Sequence, residues 1–254
     1  MKITFLGTGT SQGVPVIACD CEVCCSDDPK DKRLRSSVLV EAENQTILID
    51  AGPDFRQQML RAGVNNLDAI MITHEHKDHI AGLDDIRSFN YRTKKAMPVY
   101  CNIRVKKALE REFFYVFNKE KYPGIPEMDI NIIRTEDFYI NNICIKPIEV
   151  LHYHLPVLAF RIEDFAYVTD TNFIPEKSME KLMGLKILVI NALRKKKHIS
   201  HFNLEEALEI IKILKPEKAY LNHISHLLGR NSDTEKELPE NVFLAYDGLY
   251  ISDK

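Results

Sequence analysis

Ala69-Ile70-Met71-Ile72-Thr73-His74-Glu75-His76-Lys77-Asp78-His79 joins an unbroken apolar run to a loop dense in metal-binding side chains. A short apolar run of this kind reads as a buried strand. Of the six residues from His74 to His79, five carry imidazole or carboxylate, the donors that borderline divalent ions prefer. A loop leaving a buried strand can turn several of them inward from a rigid base. His74 and His76, two apart, can share one ion, while Asp78 and His79 reach a neighbouring one, and Glu75 and Lys77 then point away. The plainer reading is a solvated polar turn. Three of the chain's nine histidines gathered in one turn argue against it.

A two-ion site needs ligands from elsewhere in the fold, and three more apolar strands end on suitable residues. Ile148-Glu149-Val150-Leu151 delivers His152, Phe165-Ala166-Tyr167-Val168-Thr169 delivers Asp170, and Ala219-Tyr220-Leu221-Asn222 delivers His223. A carboxylate placed like Asp170 can bridge two cations about 3.5 to 4 Å apart and lower their mutual repulsion. Singly, each residue reads as a cap or surface group; four strand ends presenting ligands together point to a metal centre. His154 competes with His152, and the spacing from the strand favours His152.

Cys19-Asp20-Cys21-Glu22-Val23-Cys24 supplies three thiolates at C-x-C-x-x-C spacing. Three sulfurs need one more donor to complete the tetrahedron of a closed zinc site, and His226, three residues after His223, is the candidate. Cys25 is an equally available thiol, so a merely reactive or buried cysteine cluster stays open. Cys101 and Cys144 lie far apart and read as buried packing residues, in a reducing compartment rather than a disulfide framework.

Strands are expected at Lys2 to Leu6, Ser37 to Glu41, Thr46 to Asp50, Ala69 to Thr73, Pro98 to Cys101, Ile143 to Val150, Ala166 to Thr169, Ile187 to Ile190 and Ala219 to Leu221. Helical periodicity marks Phe55 to Ala62, Val105 to Phe117, Glu176 to Met183 and Leu204 to Leu214, the last capped by Asn203. Consecutive strands early and late favour two packed sheets covered by helices over one doubly wound sheet. Arg87 to Lys95 and Phe114 to Pro126 read as specificity loops, with Tyr122 to Glu127 at the surface. No linker divides the 254 residues, so one domain over 1–254 is expected.

With 45% hydrophobic and 28% charged residues, the composition leaves no case for disorder or fibrous structure. A net charge of −3 offers no global basic field for nucleic acid or membrane. Arg194-Lys195-Lys196-Lys197 reads as a solvated loop, with an anionic substrate or RNA as its functional alternative. No apolar run approaches the roughly 20 residues of a membrane span, and a cytoplasmic protein without a membrane partner is expected.

H-x-H-x-D-H after an apolar strand, followed by isolated His, Asp and His at strand ends, resembles the metallo-β-lactamase superfamily over nearly the whole chain. Thr46-Ile47-Leu48-Ile49-Asp50-Ala51-Gly52 resembles that family's second strand, whose aspartate orients the metal loop. The resemblance implies an αββα sandwich of two mixed β-sheets flanked by helices, with the site at one edge. Gly7-Thr8-Gly9-Thr10-Ser11-Gln12-Gly13-Val14-Pro15, the cysteine cluster and Asn222-His223-Ile224-Ser225-His226 narrow it to the PhnP-type, phosphoribosyl cyclic phosphodiesterase-like branch. Asn222 stands where that branch has threonine, which leaves both histidines intact.

Carried across, Cys19, Cys21, Cys24 and His226 would hold one structural zinc. His74, His76, Asp78, His79, His152, Asp170 and His223 would hold two divalent ions, zinc or manganese, with iron a further candidate. His201, in Ser200-His201-Phe202-Asn203 ahead of a helix, matches the branch's histidine beside the substrate phosphate, as general acid or phosphate ligand. His198 is its rival, expected at the surface. The resulting expectation is a dinuclear-metal-dependent phosphodiesterase acting on a small or cyclic phosphodiester. Attack would come from hydroxide held between the ions and oriented by Asp78 and Asp170. Alternatives are a transfer-RNA 3′-processing-type nuclease, which would be expected to carry a long arm for RNA, and a non-hydrolytic PqqB-like metal-binding protein. A small-molecule phosphodiester is the expected partner, nucleic acid a less favoured one, and a homodimer is consistent with relatives.

Overall fold

The computed structural model describes residues 1–118, 120 and 122–252. Two seven-stranded mixed sheets make up its centre. The first contains β1 (Lys2–Gly7), β2 (Ser37–Ala42), β3 (Gln45–Ile49), β4 (Ala69–Met71), β5 (Met97–Cys101) and β6 (Met128–Ile132). The second contains β7 (Phe138–Ile140), β8 (Ile143–His152), β9 (Leu155–Ile162), β10 (Phe165–Val168), β11 (Ile187–Asn191), β12 (Lys218–Asn222) and β13 (Val242–Leu244). β14 (Tyr250–Ser252) returns to pair with β1, giving the orders β14-β1-β2-β3-β4-β5-β6 and β13-β12-β11-β10-β9-β8-β7. β3 to β6 run parallel, as do β10 to β13, while the other half of each sheet is antiparallel.

Strand alternation explains the layers. In β3, Ile47 and Ile49 face the second sheet while Leu48 turns outward. In β10, Phe165 and Tyr167 face the first sheet while Ala166 and Val168 turn outward. Outside the first sheet, α1 (Phe55–Ala62) and the segment through α2 (Lys77–Ile80), α3 (Arg87–Thr93), α4 (Ile103–Glu112) and α5 (Phe114–Phe117) bury Phe55, Met59, Phe89, Val105 and Leu109. Outside the second, Leu182 beyond α6 (Glu176–Lys181) and Ala207, Ile211 and Leu214 of α7 (Leu204–Leu214) do the same. The result is the αββα sandwich that the resemblance implied. Among the described residues, no helix is long and apolar enough to cross a membrane.

Several elements differ from expectation. The helix expected over Val105 to Phe117 breaks at Phe113, whose φ of −117° and ψ of 41° leave the helical region. Arg87 to Lys95, expected as a loop, is largely α3, because Phe89 docks on the first sheet's outer face. β7, β13 and β14 have three residues each, too few for alternation to register. Pro156 masks β9, since proline ordinarily argues against a central strand; it lies near the start of β9, opposite Leu151.

In both sheets the parallel strands point their C-terminal ends toward one edge, where ligand crevices of such sheets lie. Asp50 follows β3, the His74–His79 loop follows β4, Asp170 follows β10 and His223 follows β12, while His152 ends β8. Asn203 caps α7 through a reciprocal capping box with Glu206, at 2.8 and 3.0 Å. That cap fixes the chain two residues beyond His201.

Candidate metal centre

Three strand exits bend the backbone into the left-handed region: Asp50 at φ 65°, Asp170 at 50° and His223 at 54°. For a side chain other than glycine this costs about 1–2 kcal/mol, and it persists where surrounding contacts over-determine it. At Asp50 those contacts are visible. Its carboxylate accepts the Thr73 backbone N–H at 2.9 Å, the Thr73 hydroxyl at 2.9 Å and His79 Nδ1–H at 2.7 Å. Gly52 permits the close crossing, since a Cβ there would lie 2.0 Å from the Asp78 carbonyl oxygen.

Each of four histidines has its Nδ1 proton claimed by a neighbour. His79 donates to Asp50, and His152 donates to the Ser200 carbonyl at 2.7 Å. The Thr73 hydroxyl, already donating to Asp50, accepts from His74 at 3.0 Å. The Ser36 hydroxyl donates to the Gly9 carbonyl and accepts from His223 at 3.1 Å. Hydrogen bonding of one ring nitrogen sets the tautomer of the other, so all four rings present Nε2 as a lone pair toward the same edge.

Those lone pairs meet carboxylates. His79 Nε2 is 3.2 Å from Asp78 Oδ2 and 3.3 Å from Asp170 Oδ2, and His223 Nε2 is 3.2 Å from Asp170 Oδ1. His79 Nε2 is buried with no hydrogen-bond partner among the described residues. Acceptors held face to face call for positive charge between them. Donors at about 2.0–2.1 Å in a tetrahedron stand about 3.3 Å apart, which matches these separations. The electrostatics say the same: burial alone would lower the His79 pKa, yet Asp78, Asp50 and Asp170 raise it well above the ordinary range. Burial pushes the Asp78 carboxyl up, but His79 and His223 hold it below the usual carboxylate range. Asp78, His79, Asp170 and His223 therefore fit one cation.

The other half is looser. His74 Nε2 and His76 Nδ1 are 2.9 Å apart, with His76 exposed, and the His152 ring centroid lies 5.9 and 5.2 Å from theirs. His152, Asp170 and His201 form a further group of mutually close donors. Asp170 belongs to both groups. Glu75 and Lys77 point away as expected, to Arg104 and Glu112 of α4.

Cys19, Cys21 and Cys24 gather on His226, with Sγ to Nδ1 distances of 3.3, 3.3 and 3.6 Å. Sulfur at about 2.3 Å and nitrogen at about 2.0 Å on one tetrahedral zinc would be about 3.5 Å apart. The Cys24 backbone N–H holds the Cys21 thiol down to about 6, favouring thiolate. Cys25, the competing thiol, is exposed outside this group. Cys101 is buried as expected, whereas Cys144 is only half-buried.

His201 and His198 need one correction. His201 is buried, with Nε2 3.2 Å from Asp170 Oδ1. His198 is not simply a surface residue, because its Nδ1 lies 3.2 Å from His201 Nδ1. His154 is exposed, and His152 takes the inner place. In the basic run, Arg194 donates to the carbonyls of Lys196 and Lys197, while Lys195 and Lys197 pair with Glu237 and Glu206. Ser36 and the Ser200 carbonyl went unread: no local pattern links Ser36 to a histidine 187 positions away.

Removing Asp50 is expected to weaken active-site metal binding about 10- to 100-fold, as for other residues that orient a metal-ligating histidine. Metal titration of Asp50→Ala by calorimetry checks this; wild-type affinity would free Asp50 of that role.

An αββα sandwich with clustered His and Asp at one edge defines a metallo-β-lactamase-fold protein. A family model for the β-lactamase superfamily domain matches residues 45–224, and the chain belongs to this superfamily. It is 38% identical over 252 residues to an octanoyltransferase from Porphyromonas gingivalis, a match covering 98% of this chain and 51% of that protein. The chain thus spans about half the length of that relative. The crystal structure of a new diphosphatase from the PhnP family superposes with a TM-score of 0.93 at 40% identity, covering 98% of this chain and 96% of that one. Within the superfamily this is a PhnP-type protein. Zinc-bound PqqB from Methylobacterium extorquens shares the fold, with a TM-score of 0.82 at 17% identity over 99% of this chain and 100% of that one.

Proposed function

We propose that the chain is a phosphodiesterase that cleaves a P–O bond in a small or cyclic phosphodiester. The observation that carries this is the Asp170 carboxylate, shared by the Asp78, His79 and His223 group and by His152 and His201. Asp78, His79, Asp170 and His223 would hold one divalent ion, and His74, His76 and His152, with Asp170, a second; zinc or manganese suits these donors, with iron a further candidate. Bound there, such ions supply Lewis acidity to a phosphoryl oxygen and to water. Cys19, Cys21, Cys24 and His226 would hold a structural zinc.

The chain's own groups do the rest. Asp78 and Asp170 accept hydrogen bonds from the attacking water and orient it. His201 Nε2–H, on the Asp170 side of its ring, donates its proton to the departing oxygen, a contribution of about 10²- to 10⁴-fold for general acid catalysis. The relative described as a diphosphatase favours a second reading, cleavage of a P–O–P linkage. The intact donor set speaks against a non-hydrolytic metal-binding role, and the pairing of the basic run with Glu237 and Glu206 against an RNA surface there.

Protein loaded separately with zinc, manganese or iron is expected to hydrolyse bis(p-nitrophenyl) phosphate, with activity lost on chelation and restored by metal. A P1,P2-diester of diphosphoric acid assayed in parallel separates the two readings. Turnover of neither substrate with any metal, despite two bound ions, would remove the hydrolase proposal.

A further inference from the structure

Resting on the hydrolase reading above, we propose that His198 is a positioning residue for His201, holding that ring with its Nε2–H edge toward the reacting phosphorus. The Ser200 backbone N–H lies 3.3 Å from His198 Nδ1. A backbone N–H can only donate, so this nitrogen is an acceptor. His201 Nδ1 stands 3.2 Å from the same lone pair, which makes that contact a hydrogen bond donated by His201. The Ser200 hydroxyl completes a triangle, 3.3 Å from His198 Nδ1 and 3.1 Å from His201 Nδ1. At the other end of the ring, Nε2 lies 3.2 Å from Asp170 Oδ1. Burial, with His201 and Arg194 nearby, lowers the His198 pKa, in the same sense as the acceptor role that the Ser200 N–H sets.

Asp170 at Nε2 and the Ser200 hydroxyl at Nδ1 favour the same ring orientation, and His198 adds a second acceptor on the Nδ1 side. Its backbone is anchored next door, where Phe202 N–H donates to the Thr171 carbonyl at 2.7 Å. Its ring lies between His152, 4.4 Å away centroid to centroid, and His223, stacked at 5.1 Å and 9°. These contacts confine the ring plane but tolerate a half-turn, which would exchange each nitrogen for a carbon. The acceptor on His198, together with the Ser200 hydroxyl and Asp170, holds the orientation with nitrogen on both sides. Arg194, bonded to the Lys196 and Lys197 carbonyls at 3.1 and 2.7 Å, braces the turn that carries His198. The basic run thereby gains a role unconnected with binding RNA.

In the step this arrangement serves, His201 starts with a proton on both ring nitrogens; the water oxygen bonds to phosphorus, the bond from phosphorus to the leaving alkoxide breaks, and the His201 Nε2 proton passes to that alkoxide. The proton released by water restores the ring. A leaving group that departs as a stable anion has little need of the proton, whereas an alkoxide depends on it.

The test compares His198→Ala and His198→Asn with wild type and His201→Ala, all metal-loaded. The substrates are bis(p-nitrophenyl) phosphate and a five-membered cyclic alkyl phosphodiester. His198→Ala is expected to lower kcat on the cyclic alkyl ester about tenfold more than on the aryl ester, in the same sense as His201→Ala. His198→Asn, which keeps an acceptor, should recover part of that difference. Long-range nitrogen–proton correlation spectra of the metal-free protein should show the His201 Nδ1 signal shifting in His198→Ala. Equal losses on both esters, or an unmoved Nδ1 signal, would overturn the positioning role. An inactive wild type would instead remove the hydrolase reading, and this proposal with it.

Discussion

Asp170→Ala is expected to reduce kcat/KM for phosphodiester hydrolysis by about 10³-fold or more, corresponding to the several kcal/mol that two-ion charge stabilisation supplies. On the proposed metal content, bound metal should fall from three ions toward the one assigned to the cysteine cluster. The reason is position. Asp170 Oδ2 lies 3.3 Å from His79 Nε2, and Oδ1 lies 3.2 Å from both His223 Nε2 and His201 Nε2. No other residue is shared by the two carboxylate-containing groups of donors. Losing it removes a ligand from each ion and the negative charge that offsets their repulsion. Its orientation is built in, since the Thr169 hydroxyl donates to Oδ2 at 2.6 Å. Alanine is strained at the left-handed φ of 50°, so Asp170→Asn is the companion variant: asparagine tolerates that conformation and keeps the shape while losing the charge. Both variants should fail alike in activity and metal content. If Asp170→Asn kept two active-site ions and activity within tenfold of wild type, the centre would lie elsewhere.

A comparably large effect on stability is expected at Asp247, far from Asp170 in sequence and outside every ligand group. Its side chain is 5% exposed. Oδ1 accepts the Thr8 N–H at 2.9 Å and the Thr8 hydroxyl at 2.8 Å, while Oδ2 accepts the Leu34 N–H at 2.8 Å and Arg61 Nη1 at 3.2 Å. The Thr8 hydroxyl in turn accepts from the buried Arg33 at 2.8 Å. Asp247→Ala would leave these donors facing no acceptor, at a cost of about 3–5 kcal/mol. In a chain of this size that lowers Tm by about 10 °C. A secondary effect follows from the Thr8 carbonyl, which accepts the Ile224 N–H at 2.9 Å beside His223. Thermal unfolding measures the first effect and metal affinity the second. A Tm within 2 °C of wild type would mean that water satisfies these donors.

Much of the metal centre is local information. His74, His76, Asp78 and His79 come from one loop after one apolar strand, and the Cys19–Cys24 spacing nearly specifies a thiolate cluster. Alternation in β3 and β10 identifies the faces that meet between the sheets, and the Asn203–Glu206 box marks the start of α7. What stayed hidden is whatever needs two distant segments at once. Phe89 makes a helix of Arg87–Thr93 only because a sheet face is there to receive it. Three-residue strands such as β7 and β13 are extended because a neighbour supplies hydrogen bonds, and propensity over three residues carries too little information.

By itself, then, the sequence determined two packed sheets covered by helices, most of the candidate ligands and the separation of a thiolate site from a His/Asp site, all of which follow from side-chain chemistry and periodicity along the chain. The αββα form and the place of His201 came with the family resemblance. Only the tertiary structure decided which nitrogen each histidine presents, through Asp50, Thr73, Ser36 and the Ser200 carbonyl. It alone also gave Asp170 to both groups of donors. The physical reason is that proton placement and ligand geometry depend on gaps of about 3 Å between groups far apart in sequence, which no local pattern encodes.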